Sequence, residues 1–136
     1  TPTPTAQPLE PAAAAAPDEY QQLIEKGRQY LRKGKPNQAQ SVAQKAMRLR
    51  PQGGAEALVL LAELAVDEGD ADRAERLATR AAKLNPADPD VYVVLGTVEQ
   101  ARANSAKARS YFKRYLALSP NGPHAKDVRA ILRMVP

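Results

Sequence analysis

The sequence predicts an all-α fold built from three stacked helix-turn-helix repeats and a terminal seventh helix. Three Leu-x-Pro steps, which end at Pro51, Pro86 and Pro120, are spaced 35 and 34 residues apart. A period of about 34 residues is typical of helix pairs that stack in a row, and not of a single globule. No segment alternates apolar and polar residues for long enough to predict a strand.

The first 17 residues differ in composition from the remainder of the chain. They contain five prolines and six alanines, and Leu9 is their only large apolar residue. Such a segment has nothing to bury, so we predict a disordered Pro/Ala-rich linker over residues 1–17, with a short Pro-rich ligand as the alternative. The chain starts with Thr1, which indicates a fragment of a longer protein.

Helical periodicity starts at Asp18. The predicted helices cover residues 18–33, 36–49, 55–68, 71–84, 89–102, 105–118 and 123–134. Residues that can cap a helix N-terminus precede four of them: Asp18, Asp70, Asp88 and Asn104. Gly34 and Gly69 stand where the first helix of a pair turns into the second, a position that favours left-handed backbone.

Each predicted pair combines small residues with bulky apolar ones. The first helices carry Gly27, Ala62 and Gly96 at one shared register. The second helices carry a series of alanines: Ala39, Ala43, Ala46, Ala74, Ala78, Ala81 and Ala108. Small side chains let two helices pack closer than the usual interaxial distance of about 8–10 Å. We therefore expect one continuous core between the stacked pairs.

The pattern resembles the tetratricopeptide repeat (TPR) family, in three copies over residues 18–120. The matching residues of the first copy are Leu23, Gly27, Tyr30, Gly34, Ala39, Ala46 and Pro51. Those of the second are Leu58, Leu61, Ala62, Gly69, Ala74, Ala81 and Pro86. Those of the third are Tyr92, Leu95, Gly96, Ala108, Phe112 and Pro120. The chain departs from the family at Lys26, Ala65, Ala103 and Tyr115, where Leu, an aromatic residue, Gly and Ala are usual.

The resemblance implies a right-handed superhelical stack in a TPR domain over residues 18–136. Its repeats would cover about 20–53, 55–88 and 89–122, and residues 123–134 would form a capping helix. Ala125, Val128, Ile131 and Leu132 lie on one face of that last helix. This amphipathic pattern is what a terminal helix needs in order to close an open core.

In this family the first helices of successive repeats line a concave groove. The resemblance places nine residues of this chain there: Ile24, Arg28, Leu31, Val59, Glu63, Val66, Val93, Thr97 and Gln100. Ile24, Val59 and Val93 would form a solvent-facing apolar row, and such a patch marks a binding site. The alternative is that packing between repeats covers this row. We predict a non-catalytic adaptor or scaffold that binds a partner peptide or helix in the groove.

Other kinds of partner follow less directly from the sequence. The chain could instead self-associate as a homo-oligomer or dock on its own upstream domain. Nucleic-acid binding through the basic first repeat is disfavoured, because the net charge of +5 divides into about +5 over residues 18–50 and about −3 over 51–86, which interrupts any basic stripe. The resemblance also argues against a clamp for an acidic chaperone tail, since Arg28 is the one suitable cation and Asp90 would repel a carboxylate.

The turns between paired helices carry opposite charges. The first turn is basic, with Arg32, Lys33 and Lys35, and the second is acidic, with Asp67, Glu68, Asp70 and Asp72. Because stacking places successive turns side by side, we expect mutual neutralisation rather than a docking site.

Residues suited to catalysis or to metal binding are few. The absence of cysteine excludes disulfides and thiolate chemistry. His124 is the only histidine, and we predict it to be an exposed residue at a helix start with no metal-ligand spacing around it. Gly53-Gly54 lacks the Lys or hydroxyl of a phosphate-binding loop. We therefore predict no enzymatic activity, no cofactor and no metal site.

Composition also bears on source and compartment. An Ala/Arg-rich chain without cysteine is typical of a bacterial protein from a GC-rich genome. Both cytoplasm and periplasm are compatible, and we favour the cytoplasm. No apolar run approaches the ~20 residues that span a bilayer, so we predict no direct membrane insertion.

Overall fold

The structure, a computed structural model, describes residues 18–134, so the linker predicted over residues 1–17 lies outside the described residues. The described chain forms seven helices: α1 (Glu19–Arg32), α2 (Pro36–Leu49), α3 (Ala55–Asp67), α4 (Ala71–Leu84), α5 (Pro89–Ala101), α6 (Ser105–Leu118) and α7 (Ala125–Met134). The all-α class is therefore confirmed. Helix α7 begins two residues later than predicted, because Pro123 and His124 belong to the preceding turn.

Three of the four predicted caps form as expected. Their carboxylates each accept a backbone N–H of the first helical turn: Asp18 from Gln21 at 2.9 Å, Asp70 from Arg73 at 3.1 Å and Asp88 from Asp90 at 3.0 Å. The prediction is wrong for Asn104, whose side chain makes no capping bond. Its Nδ2 instead donates to Oε1 of Glu99 at 2.8 Å. Glu99 is 3% exposed, and leaving its carboxylate unpaired would cost more than leaving a helix end uncapped.

The turns inside the three pairs share one backbone conformation. Gly34 and Gly69 have φ of 70° and 80°, as their position in the sequence predicts. Ala103 takes the same place in the third pair with φ of 62°. A residue with a Cβ is strained there by about 1–2 kcal/mol, so the third turn is held by its neighbours rather than by its own preference.

The helices form two layers. Each of α1, α3 and α5 packs against the second helix of its own pair and against the first helix of the adjacent pair. Helices α2 and α4 each fill the space between two successive first helices, and α6 lies between α5 and α7. We call α1, α3 and α5 the inner layer and α2, α4 and α6 the outer layer.

The core consists of two clusters that meet at α3, and is not the single continuous core expected. One cluster includes Leu60, Leu61 and Leu64 of α3 and extends to α1 and α2. The other includes Leu58, Val59, Ala62 and Ala65 of α3 and extends from α4 to α7. Partly buried Met47 and Leu77 pack against both. The division arises because α3 is covered on opposite sides, which leaves nine of its residues buried.

Helix α7 closes the second cluster. Ala125 and Val128 are buried, and Ile131 and Leu132 pack against the cluster while partly exposed. The guanidinium of Arg109 on α6 donates to the Leu132 carbonyl at 3.2 Å. In the part of the chain that the structure describes, no helix has the length and apolarity needed to cross a membrane.

Candidate binding groove

The inner layer carries a cavity of about 190 Å³ that gathers five of the nine predicted groove residues. Leu31 comes from α1, Glu63 and Val66 from α3, and Val93 and Thr97 from α5. Asp67 and Val94 complete the lining. We call this cavity the groove pocket. Its walls are mostly aliphatic, with the carboxyl groups of two acidic residues at the lining.

A second cavity of about 360 Å³ adjoins the groove pocket and shares Leu31 and Glu63 with it. Its other lining residues are Arg28, Arg32, Asp90, Pro123 and His124. The predicted groove residue Arg28 therefore lies in this adjoining cavity. Together the two cavities extend from the second and third inner helices across α1 to the turn that precedes α7.

Three predicted groove residues lie elsewhere. Ile24 is 1% exposed and Val59 is 5% exposed, so the expectation that they face solvent is wrong. Each belongs to a core cluster, because adjacent inner helices pack directly on one another and cover this row. Gln100 is exposed and lines neither cavity. Of the predicted apolar row, Val93 alone reaches the groove pocket.

Glu63 dominates the electrostatics of the groove pocket. Burial raises the pKa of its carboxyl from an ordinary 4.5 to about 8, and the negative charge of Asp90 adds to the rise. Asp67 and Asp88 act in the same direction, whereas the positive charge of Arg28 lowers the pKa. No hydrogen bond or ion pair joins the Glu63 side chain to another described residue. The pocket therefore contains a partly buried carboxyl group whose bonding capacity is free.

His124 lies at the start of α7 as predicted, where its carbonyl accepts the Val128 N–H at 2.9 Å, but it is only partly exposed. Its side chain is half-buried in the adjoining cavity, where Nε2 lies 3.9 Å from Oδ1 of Asp90. Its ring packs edge-on against Tyr115 with centroids 5.9 Å apart, and its backbone N–H donates to the Tyr115 hydroxyl at 2.9 Å. The sequence feature that could have indicated this packing is Tyr115, a large residue at a position where the family usually has Ala.

Charge separates by layer and not only by repeat. Inner helices α3 and α5 contain acidic residues and no Lys or Arg: Glu56, Glu63, Asp67, Asp90 and Glu99. Outer helices α2 and α6 contain basic residues and no Asp or Glu: Lys45, Arg48, Lys107, Arg109, Lys113 and Arg114. Inner helix α1 departs from this division, because its Arg28 and Arg32 line the adjoining cavity together with Glu63 and Asp90.

The predicted neutralisation between the first and second turns does not occur among the described ion pairs. Arg32 of the first turn pairs with Glu25 of its own helix at 3.7 Å. Two acidic residues of the second turn have other partners: Asp72 contacts Arg102 of the third pair at 2.5 Å, and Glu68 contacts Arg73 of α4 at 3.6 Å. Arg102 also contacts Glu75 of α4 at 2.9 Å. Arg102 directly follows helix α5 and lies beside the start of α4, which brings its guanidinium to these carboxylates.

The family model for the tetratricopeptide repeat matches residues 59–123. This range starts within α3 and extends through α4 and the third helix pair to the turn before α7. No curated protein matches the sequence at a significant level.

Several solved structures share the fold. The human RPAP3 first TPR domain is 26% identical, with 83% of this chain and 86% of that chain covered and a TM-score of 0.68. The first TPR domain of Spaghetti (RPAP3), bound to the HSP90 peptide SRMEEVD, is 24% identical, with 86% and 92% covered and a TM-score of 0.72. The Yersinia enterocolitica type III secretion chaperone SycD, in complex with a peptide of the translocator YopD, is 19% identical, with 88% and 94% covered and a TM-score of 0.68.

Proposed function

We propose that this chain, which is a tetratricopeptide repeat protein of three repeats and a capping helix, is a non-catalytic module that binds a partner peptide or helix on its inner layer. The proposal assigns residues 18–136 to the binding domain, as part of a larger bacterial protein or assembly. The partner would contact Leu31, Glu63, Val66, Val93 and Thr97, with Arg28 at the edge of the site.

One observation carries this proposal. Side chains from three separate inner helices converge on one open, largely aliphatic cavity that the core does not fill. A concave apolar site with a few polar groups is what recognition of a partner side chain requires. The peptides bound to Spaghetti (RPAP3) and to SycD support the same use of the fold.

The proposal is tested by placing one large side chain in the groove and the same side chain on the opposite face. Thr97 lines the groove pocket, and Thr79 lies exposed on outer helix α4. Both can be replaced by Arg, a good helix former. The 136-residue chain and its two variants serve as baits in a lysate of the source organism, and mass spectrometry identifies the captured proteins.

We expect Thr97→Arg to lose a partner that the unchanged chain and Thr79→Arg both retain. Circular dichroism should show equal helical content for all three proteins. If Thr97→Arg captures the same proteins as the unchanged chain, the inner layer is not the binding surface.

Self-association is a second candidate, favoured by three exposed leucines. Leu49, Leu84 and Leu118 end the three outer helices and are 45%, 43% and 41% exposed. They recur at the repeat period, so stacking places them along one edge. Light scattering of the 136-residue chain over a hundredfold range of concentration decides between the two. A mass that rises toward the dimer and falls back in a Leu84→Gln variant would favour self-association, and a constant monomer mass would exclude it.

A further inference from the structure

The groove pocket has the dimensions of a site for one side chain. Its volume of about 190 Å³ lies below the roughly 300–1,000 Å³ of sites that enclose a whole small molecule. Leu31, Val66 and Val93 supply aliphatic walls, and Glu63 supplies a carboxyl group. Lysine and arginine have the matching form, because each has an alkyl stem that packs on apolar surface and a cationic end that requires polar partners.

The carboxyl of Glu63 is the second observation, independent of the shape. It is partly buried, lines both cavities and has no hydrogen-bond or ion-pair partner among the described residues. A buried acidic group without a partner is costly, and a cation placed beside it removes that cost. Asp67 lines the same pocket and Asp90 lines the adjoining cavity, so the field around Glu63 favours a positive charge.

The positive charge of the rest of the chain opposes the binding of a cationic side chain. The chain carries a net charge of +5, and at long range it attracts acidic peptides. Arg28 and Arg32 also line the adjoining cavity and would repel a cation there. Any preference for a basic residue must therefore arise locally, at the carboxyl of Glu63.

From this geometry we infer that the groove pocket anchors a lysine or arginine side chain of the partner, with its stem against Leu31, Val66 and Val93 and its charged end at Glu63. The inference rests on the proposed function and names the residue type that the groove selects. This preference for a basic residue would distinguish the groove from that of Spaghetti (RPAP3), whose bound peptide SRMEEVD has three acidic residues toward its C-terminus.

The test uses four peptide pools that differ at one position. Each pool consists of amidated, acetylated decamers with a central lysine, arginine, norleucine or glutamate and an equal mixture of residues elsewhere. Norleucine keeps the alkyl stem and lacks the charge. Binding to the 136-residue chain is measured by fluorescence polarisation, beside two variants that each remove one negative charge. Glu63→Gln changes the pocket, and Asp127→Asn changes an exposed residue of α7.

We expect the lysine and arginine pools to bind about tenfold more tightly than the norleucine pool, the scale of a partly desolvated charge pair. Glu63→Gln should abolish this preference, and Asp127→Asn should retain it. A preference that survives Glu63→Gln would overturn the assignment of the site. Pools that bind equally, or fail to bind, would overturn the inference, while the proposed function would stand if Thr97→Arg still lost a captured partner. Failure of both experiments would overturn both.

Peptide affinity measured as a function of pH gives a further test, because a merely structural role of Glu63 would not make the affinity depend on pH. Because a bound cation favours the ionised carboxyl, affinity for the lysine pool should rise severalfold from pH 6.5 to 8.5. If protonated Glu63 instead donated to a peptide carbonyl, affinity would fall over the same range. The other charged groups that face Glu63 are Arg28, Arg32, Asp67, Asp88, Asp90 and His124. The increase in affinity with pH must persist in His124→Gln and vanish in Glu63→Gln.

Discussion

The inner and outer layers of this stack consist of helices of nearly equal length, 13 or 14 residues, that bury very different shares of their surface. Helix α3 of the inner layer buries nine residues, with Leu, Val and Ala on nearly every side. Helix α4 of the outer layer buries three alanines, and most of its exposed residues are charged. Helix α3 has neighbours in its own pair and in both adjacent pairs, so little of its surface stays open. The layer that forms most of the core is therefore also the layer with the fewest residues left for recognition.

Disruption of the close contact between α5 and α6 should have the largest effect on the free energy of unfolding. A Cβ added at Gly96 would lie 2.6 Å from Cε1 of Phe112, a ring that is fully buried. We expect Gly96→Ala to destabilise the fold by about 2–3 kcal/mol, because the ring has no free space to move into. Urea unfolding followed by circular dichroism measures the change. Gly53→Ala is the matched control, since nothing lies within 4 Å of its added Cβ, and it should be close to neutral. Equal effects at the two glycines would contradict a tight contact between layers.

The groove carboxyl should make stability depend on pH. The folded state raises the pKa of Glu63 from 4.5 to about 8, so the unfolded state releases the proton more readily. This destabilising contribution is absent below about pH 4.5, grows as the pH rises toward 8, and is complete above 8. Glu63→Gln should thus match the unchanged chain near pH 5 and exceed it at pH 9 by a free energy of unfolding on the order of 3 kcal/mol. Urea titrations at both pH values give the difference, for which Asp127→Asn provides the baseline. A difference that does not vary with pH would mean that Glu63 titrates normally.

A glycine at the third turn should stabilise the fold, as the first two turns already have one at the equivalent position. Ala103 has the positive φ that Gly34 and Gly69 adopt without a Cβ. Ala103→Gly should raise the free energy of unfolding by about 1 kcal/mol, since relief of left-handed strain exceeds the added freedom of the unfolded chain. Thermal unfolding would show this as an increase in Tm. A decrease in Tm would show that the turn tolerates alanine without strain.

The outer face should be the least sensitive region. Lys113 is exposed on α6, and the described ion pairs do not include it. Reversal of its charge in Lys113→Glu should change the free energy of unfolding by less than about 0.5 kcal/mol and leave peptide binding unchanged. A large loss of peptide binding would place recognition on the outer layer and would contradict the division of labour between the layers.

Local chemistry was sufficient to predict most of the secondary structure. A carboxylate before a helix, a glycine at its end and a recurring Leu-x-Pro step act over a few residues, so Asp18, Asp70 and Gly34 behave as their neighbours in sequence require. Asn104 departs from its prediction because a residue five positions earlier, the buried Glu99, competes for its amide. The repeat boundaries stay a prediction, as does the role of the groove residues.

The sequence by itself determined the all-α class and the order of the helices, which depend on periodicity and on caps, properties of single helices. The family resemblance, and not periodicity, supplied five of the seven residues that line the groove pocket. Only the tertiary structure decided which of those residues stay open to a partner. Ile24 and Val59 are covered because inner helices pack on one another, and His124 reaches the cavity because the last turn folds back across Asp90. Distances between helices, which no single helix encodes, therefore decided that Val93 alone of the predicted apolar row lines the groove pocket, together with Glu63.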